Sequence, residues 1–168
     1  RYSPTTTKWW LASVNHPDLW WVFDNILTKT LSDVYRFYVS ISRELWVIVC
    51  KKGNSRTLQF MKEKKIPYVD TAFNMNWVLQ YNDDIEVFKH VLARETDVQP
   101  DWPYELVNSA NVEFGKLLLE KFPDLFLDRG MVHHLAGRAF NPAMEAWLHE
   151  VANNMELPHI PVPHVTQL

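Results

Sequence analysis

Apolar positions along the chain recur at three- and four-residue spacing, so the dominant expectation is helix. Leu19, Val22, Phe23, Ile26 and Leu27 share one face of a helix over about residues 18–28, opened by Pro17 and Asp18. Val34, Phe37, Tyr38 and Ile41 share another, after a possible Ser32 cap, and Leu45, Ile48 and Val49 continue the pattern beyond Ser42, where Ser42 and Glu44 predict a fresh helix start. From there on the pattern repeats. Residues 57–63, 87–93, 114–120 and 144–150 each read apolar, variable, polar or small, bulky apolar, apolar; Gln59, Lys89, Lys116 and Ala146 mark a common register spaced 30, 27 and 30 residues apart. Periods of that length belong to stacked supersecondary units, each of which buries its apolar stripe only against its neighbours.

The turn chemistry divides these segments into hairpins. Gly53-Asn54 ends one helix and turns toward the next, Asn82-Asp83-Asp84 makes a tight connection, and Asn141-Pro142 opens a final helix. The predicted pairs are 45–51 with 56–65, 71–81 with 85–94, 104–109 with 112–121, and 130–139 with 142–153. Proline-containing connections at 65–70, 95–103 and 122–129 join successive pairs, and the Pro-rich stretch 157–164 is expected to be extended.

Composition narrows the class. Of 168 residues 47% are hydrophobic, only 4 are glycine, and 23 are Trp, Phe or Tyr, so an ordered helical core built on large aromatic side chains is expected. The net charge of −3 comes from 17 basic residues scattered among 20 acidic ones, which leaves no continuous basic surface for nucleic acid. No apolar run reaches the roughly 20 residues that span a bilayer, and no secretory signal opens the chain; a reducing, cytoplasmic setting is expected and no membrane partner. The single cysteine, Cys50, follows the apolar run 45–49 and reads as a buried structural thiol. Trp46 and Trp147 read as core.

The candidates for chemistry have plain structural readings. In His133-His134 the two rings point to different sides of a helix; one alone could join His149 or His159 around a metal, but a metal needs three or four ligands, so the expectation is that one packs and the other faces solvent. Asp83, Asp84 and Glu86 stand where a helix begins, where acids complement its dipole. Lys51, Lys52, Lys62, Lys64 and Lys65 stand at helix ends, where cations do the same. No Gly-rich phosphate cradle and no activated nucleophile is present, so no enzyme activity, metal or cofactor is expected.

Residues 84–92 and 111–119 resemble the second helix of an ankyrin repeat, with 54–65 and 141–150 similar to it less closely. The resemblance spans about residues 45–153 and lacks the family's first-helix Thr-Pro-Leu-His signature, so it describes divergent repeats. It implies an all-α, helical-hairpin solenoid whose repeat surface binds a protein or peptide. On that surface Trp77, Gln80, Tyr81, Asp83, Trp102, Tyr104, Asn108, His133, His134 and Arg138 are the expected contacts, since aromatic and arginine side chains dominate such interfaces. The segment before the repeats, residues 1–44, resembles an F-box in Pro17-Asp18-Leu19, Val22-Phe23, Ile26-Leu27, Leu31, residues 33–37 and residues 39–46; joined F-box and ankyrin-like arrays occur in large DNA viruses and some protists. That resemblance implies a substrate receptor, with Pro17, Leu19, Trp20, Phe23 and Leu27 meeting the adaptor of a ubiquitin ligase. Without it, the same helices would cap the end of the array. Residues 154–168 form a tail whose Thr166-Gln167-Leu168 resembles the carboxyl-terminal ligand of PDZ domains. The pattern sets no oligomeric state.

Overall fold

The computed structural model describes residues 35–63 and 65–155, with side chains from residue 43 onward. Every regular element among these residues is helical. In chain order they are α1 (Tyr35–Lys52), α2 (Ser55–Glu63), α3 (Asn74–Tyr81), α4 (Ile85–Leu92), α5 (Trp102–Leu106), α6 (Val112–Lys121), α7 (Arg129–Ala136) and α8 (Pro142–Asn154), with a 3-10 turn at Pro123–Phe126 between α6 and α7. None of them is long and apolar enough to cross a membrane.

The helix starts follow the sequence closely. Asn54 Oδ1 accepts from the backbone N–H groups of Arg56 and Thr57, Asp84 Oδ1 from Glu86 and Val87, Asn111 Oδ1 from Glu113, and Asn141 Oδ1 from Ala143. Each cap satisfies donors that a helix cannot pair internally, which fixes where α2, α4, α6 and α8 begin. Asp128 caps α7 in the same way.

Two boundaries differ from expectation. The helix start expected at Ser42 is absent: α1 runs unbroken through it to Lys52, because no Gly or Pro interrupts residues 35–52 and an isolated serine does not stop a helix. The second helix of the first pair ends at Glu63, not residue 65. Lys65 adopts a left-handed conformation with φ 54°, its N–H donates to Lys62 O and the N–H of Ile66 donates to Met61 O, the paired bonds of a Schellman cap.

Packing joins the helices in two rows. α1 packs on α3 and α3 on α5, while α2 packs on α4, α4 on α6 and α6 on α8; α3 also meets α4, and α7 meets α8. The main core threads through both rows with Met75, Val78, Leu79, Val87, Phe88, Val91, Leu106, Phe114, Leu118, Val132, Leu135, Met144 and Leu148. The Phe88 and Phe114 rings stack at 4.2 Å between α4 and α6. A smaller cluster of Leu45, Trp46, Ile48, Val49, Phe60 and Met61 closes α1 against α2. Trp46 and Trp147 are buried as the pattern predicts, and Cys50 is fully buried. Burial, with the Glu95 charge adding to it, pushes the Cys50 thiol up to about 12, so it remains an uncharged packing group at neutral pH.

Polar side chains tie one pair to the next at the same period. Asn111 Nδ2 donates to Asp83 O, Asn141 Nδ2 donates to Ala110 O, and Ser55 N–H donates to Asp84 Oδ2. Asn82 is buried and its Nδ2 reaches three carbonyls at the end of α1, Val49 O at 3.2 Å, Cys50 O at 3.0 Å and Gly53 O at 3.1 Å. Val49 O also accepts from the Gly53 N–H, whereas Cys50 O and Gly53 O lie past the last backbone bond of this helix end, so one amide closes the first pair onto the second.

Candidate functional site

Among the described residues Phe73, Tyr81, Val98, Tyr104, Leu127 and Phe140 are exposed large apolar side chains, and two of them, Phe73 and Tyr81, stand at the two ends of α3 with the half-buried Trp77 between them. Phe73, Trp77 and Tyr81 stand four residues apart and so share one helix face. Their rings form a file, with Phe73 and Trp77 centroids 6.3 Å apart and Trp77 and Tyr81 6.0 Å apart. Phe73 is 59% exposed and Tyr81 52%, while Trp77 between them is half-buried. The Lys51 Nζ, carried by the end of α1, sits 3.8 Å from the Trp77 centroid and 5.5 Å from that of Tyr81. A cation over two ring faces stabilises this arrangement by about 0.5–1 kcal/mol at an exposed site and holds the file in place.

Beside the file the turns of three successive pairs form an open cleft of about 780 Å³. Gln80, Tyr81, Asp83 and Asn108 line it together with Lys51 and Asn54, so four of the contacts expected from sequence converge on one feature. Trp77 joins them through its stack on Tyr81. Tyr104 is 42% exposed on α5, the helix packed against α3.

Trp102 departs from expectation. It is 1% exposed and belongs to the core, with its ring 5.8 Å from that of Phe122. It stands at the first position of α5 with Pro103 behind it, and α5 is only five residues long, so anchoring so short a helix requires its largest side chain to point inward. It is a packing residue and not a contact for a partner.

The remaining expected contacts lie away from the cleft. His134 and Arg138 are exposed at the end of α7, whereas His133 is half-buried and its Nδ1 lies 3.1 Å from the Nδ1 of His149 on α8. One histidine packs and its neighbour faces solvent, as expected, but the pairing of His133 with His149 makes a contact between α7 and α8 that the local pattern does not specify. Among the described residues no three His, Cys, Asp or Glu side chains converge closely enough to hold a metal ion. The F-box-like residues Pro17, Leu19, Trp20, Phe23 and Leu27, His159, and the tail with Thr166, Gln167 and Leu168 lie outside the described residues.

A second group of perturbed side chains lies around α4. Burial, with the Arg94 charge adding to it, lowers His90 to about 4, so its ring is neutral at pH 7. Burial, with the Asp70 charge next in size, raises Glu95 to about 7, although Lys121 opposes the shift. Burial also raises the Tyr68 hydroxyl, against the lowering effect of its bond from Asn74 Nδ2 at 2.8 Å.

No family model matches the chain, and no curated protein and no solved structure matches it significantly. The functional reading therefore rests on the geometry. Sequence reasoning missed two parts of the site. Phe73 was readable from its four-residue spacing to Trp77 and Tyr81; Lys51 carried no such signal, because its place over the rings depends on how α1 crosses α3.

Proposed function

We propose that the chain is a short, ankyrin-like helical-hairpin solenoid that binds a protein partner along the α3 face and the adjoining cleft. The observation that carries this reading is the aromatic file Phe73, Trp77 and Tyr81, exposed at Phe73 and Tyr81 and half-buried at Trp77, beside a cleft lined by hydrogen-bonding side chains. Amphipathic rings flanked by polar groups are the usual anchors of protein interfaces, because they bury much area for little lost rotamer freedom. Three features support the repeat architecture: the two stacked rows of helices, the four caps at Asn54, Asp84, Asn111 and Asn141, and the bonds from Asn111 and Asn141 to the turn of the preceding pair. In such an array the turns of neighbouring units lie side by side and present a continuous surface. The partner this surface fits is a segment that offers apolar side chains to the rings and backbone or amide groups to Gln80, Asp83 and Asn108.

The test compares the wild-type chain with a Phe73→Ser/Tyr81→Ser variant as baits in affinity capture, followed by direct binding of each captured protein in purified form. The expected result is a partner whose affinity falls at least tenfold on the double substitution while the thermal midpoint of the bait is unchanged. Equal affinity of every confirmed partner for both baits overturns the assignment. A Tyr104→Ala variant then decides whether α5 extends the interface.

A further inference from the structure

A pocket of about 630 Å³ shares no lining residue with the cleft beside α3. It lies between α2, α4 and the connection that follows α2. Its apolar walls come from Leu58, Met61, Ile66 and Tyr68, with Trp46 beneath. The layer under it is closely packed. Trp46 and His90 stack with planes 7° apart at 5.2 Å, Tyr68 meets Trp46 edge-on at 4.8 Å, and Trp46 Nε1 donates to Pro67 O at 2.7 Å. His90 belongs to this layer as an uncharged ring, its Nε2 buried without a partner.

The charge on the pocket is of one sign. Lys62, Lys65 and Arg94 line it and no carboxylate does, in a chain whose net charge is −3. Arg94 is positioned in advance: its Nη1 donates to His90 O at 2.7 Å and its guanidinium lies 5.1 Å from the Tyr68 ring centroid. The remaining guanidinium donors stay available, in the planar fork that suits a carboxylate, sulfonate or phosphate. A volume in the range of small-molecule sites, apolar and aromatic walls, and a few convergent polar groups of one charge together describe a binding site.

We propose that this pocket binds a small planar anion, an aryl carboxylate, sulfonate or phosphate, whose ring lies against Tyr68, Leu58 and Ile66 and whose anionic group meets Arg94 and Lys62. The apolar walls alone would take a neutral aromatic compound; the cations make the anion the preferred ligand, because a charge-assisted hydrogen bond is stronger than a neutral one. The site is independent of the partner-binding surface proposed above, so either can fail without the other.

The test is a titration of the whole chain with naphthalene-1-sulfonate and, in parallel, with neutral 1-naphthalenemethanol, followed by 1H–15N correlation spectra. The expected result is saturable shifts at the Trp46 indole N–H, Tyr68 and Arg94, at least tenfold tighter for the sulfonate than for the alcohol. Lys62→Gln/Arg94→Gln removes that preference and leaves the weak affinity for the alcohol in place. Equal affinity of the wild-type chain for both compounds, or sulfonate shifts confined to residues outside the pocket, overturns the proposal; neither arm depends on the variant folding.

Discussion

Replacing Gly115 by alanine tests the packing between the last two pairs. Gly115 lies in the middle of α6 and is buried, and a Cβ built on it would fall 2.5 Å from Cη2 of Trp147 and closer still to Cζ3. From helix propensity alone the substitution stabilises by about 1 kcal/mol. The ring cannot yield freely, because Trp147 is 9% exposed and stands edge-on to Phe126 at 6.2 Å. Forcing a methyl group into such a contact costs about 1–3 kcal/mol, and part of the α6–α8 contact is lost with it, so the clash outweighs the propensity gain and Gly115→Ala destabilises by about 1–2 kcal/mol. Urea unfolding followed by far-ultraviolet circular dichroism reads this as a midpoint lowered by about 0.5–1 M. Trp147→Leu alone destabilises by leaving a cavity, but in the Gly115→Ala background it removes the clash, so the double variant is more stable than the two single effects predict, by about 1 kcal/mol or more. A Gly115→Ala midpoint above that of the wild type would refute the close approach of α6 and α8 at this point.

Other substitutions probe other links. Asn82→Ala removes the side-chain donor from Cys50 O and Gly53 O, while Val49 O keeps the Gly53 N–H, and should destabilise by about 1–3 kcal/mol in the same urea assay, whereas Asn82→Asp, which sets a carboxylate against those carbonyls, should cost more. Lys65→Gly should stabilise by up to about 1 kcal/mol, since glycine takes the left-handed conformation at no steric cost; a loss of stability would show that the side chain contributes more than its backbone strain costs. Trp102→Ala should cost about 3–5 kcal/mol, while Trp102→Phe costs far less than Trp102→Ala because it keeps most of the buried ring and removes an indole N–H that has no partner; equal losses would place the ring outside the core. The Glu95 carboxyl is raised from 4.5 to about 7 in the folded chain, so the folded state holds more protons than the unfolded state between those values. Its contribution is therefore fully present below pH 4.5 and is lost as pH rises toward 7. Glu95→Gln should raise the stability at pH 7.5, and with it the thermal midpoint, by on the order of 1 kcal/mol once solvent screening of a half-exposed carboxylate is allowed for, and leave both nearly unchanged at pH 4. A midpoint equal to wild type at pH 7.5 would show that Glu95 is solvated.

The sequence by itself determined the helical class and most helix starts. Those features are local: a helix face repeats every three to four residues, and Asn54, Asp84, Asn111 and Asn141 cap helices through N–H groups two or three residues away. The burial of Trp46, Trp147 and Cys50 was legible for a related reason, since each stands on an apolar stripe. Only the tertiary structure decided which aromatic side chains face water. Trp102 and Tyr104 are two residues apart on one short helix, yet the first is core and the second exposed, because the direction of α5 against α3 selects between them. The same holds for Lys51 over Trp77 and Tyr81, for Asn82 on the end of α1, for His133 against His149, and for the pocket framed by Tyr68, Arg94 and Lys62. Each joins residues of different elements, and the distance between elements depends on how whole helices pack, which no local periodicity encodes.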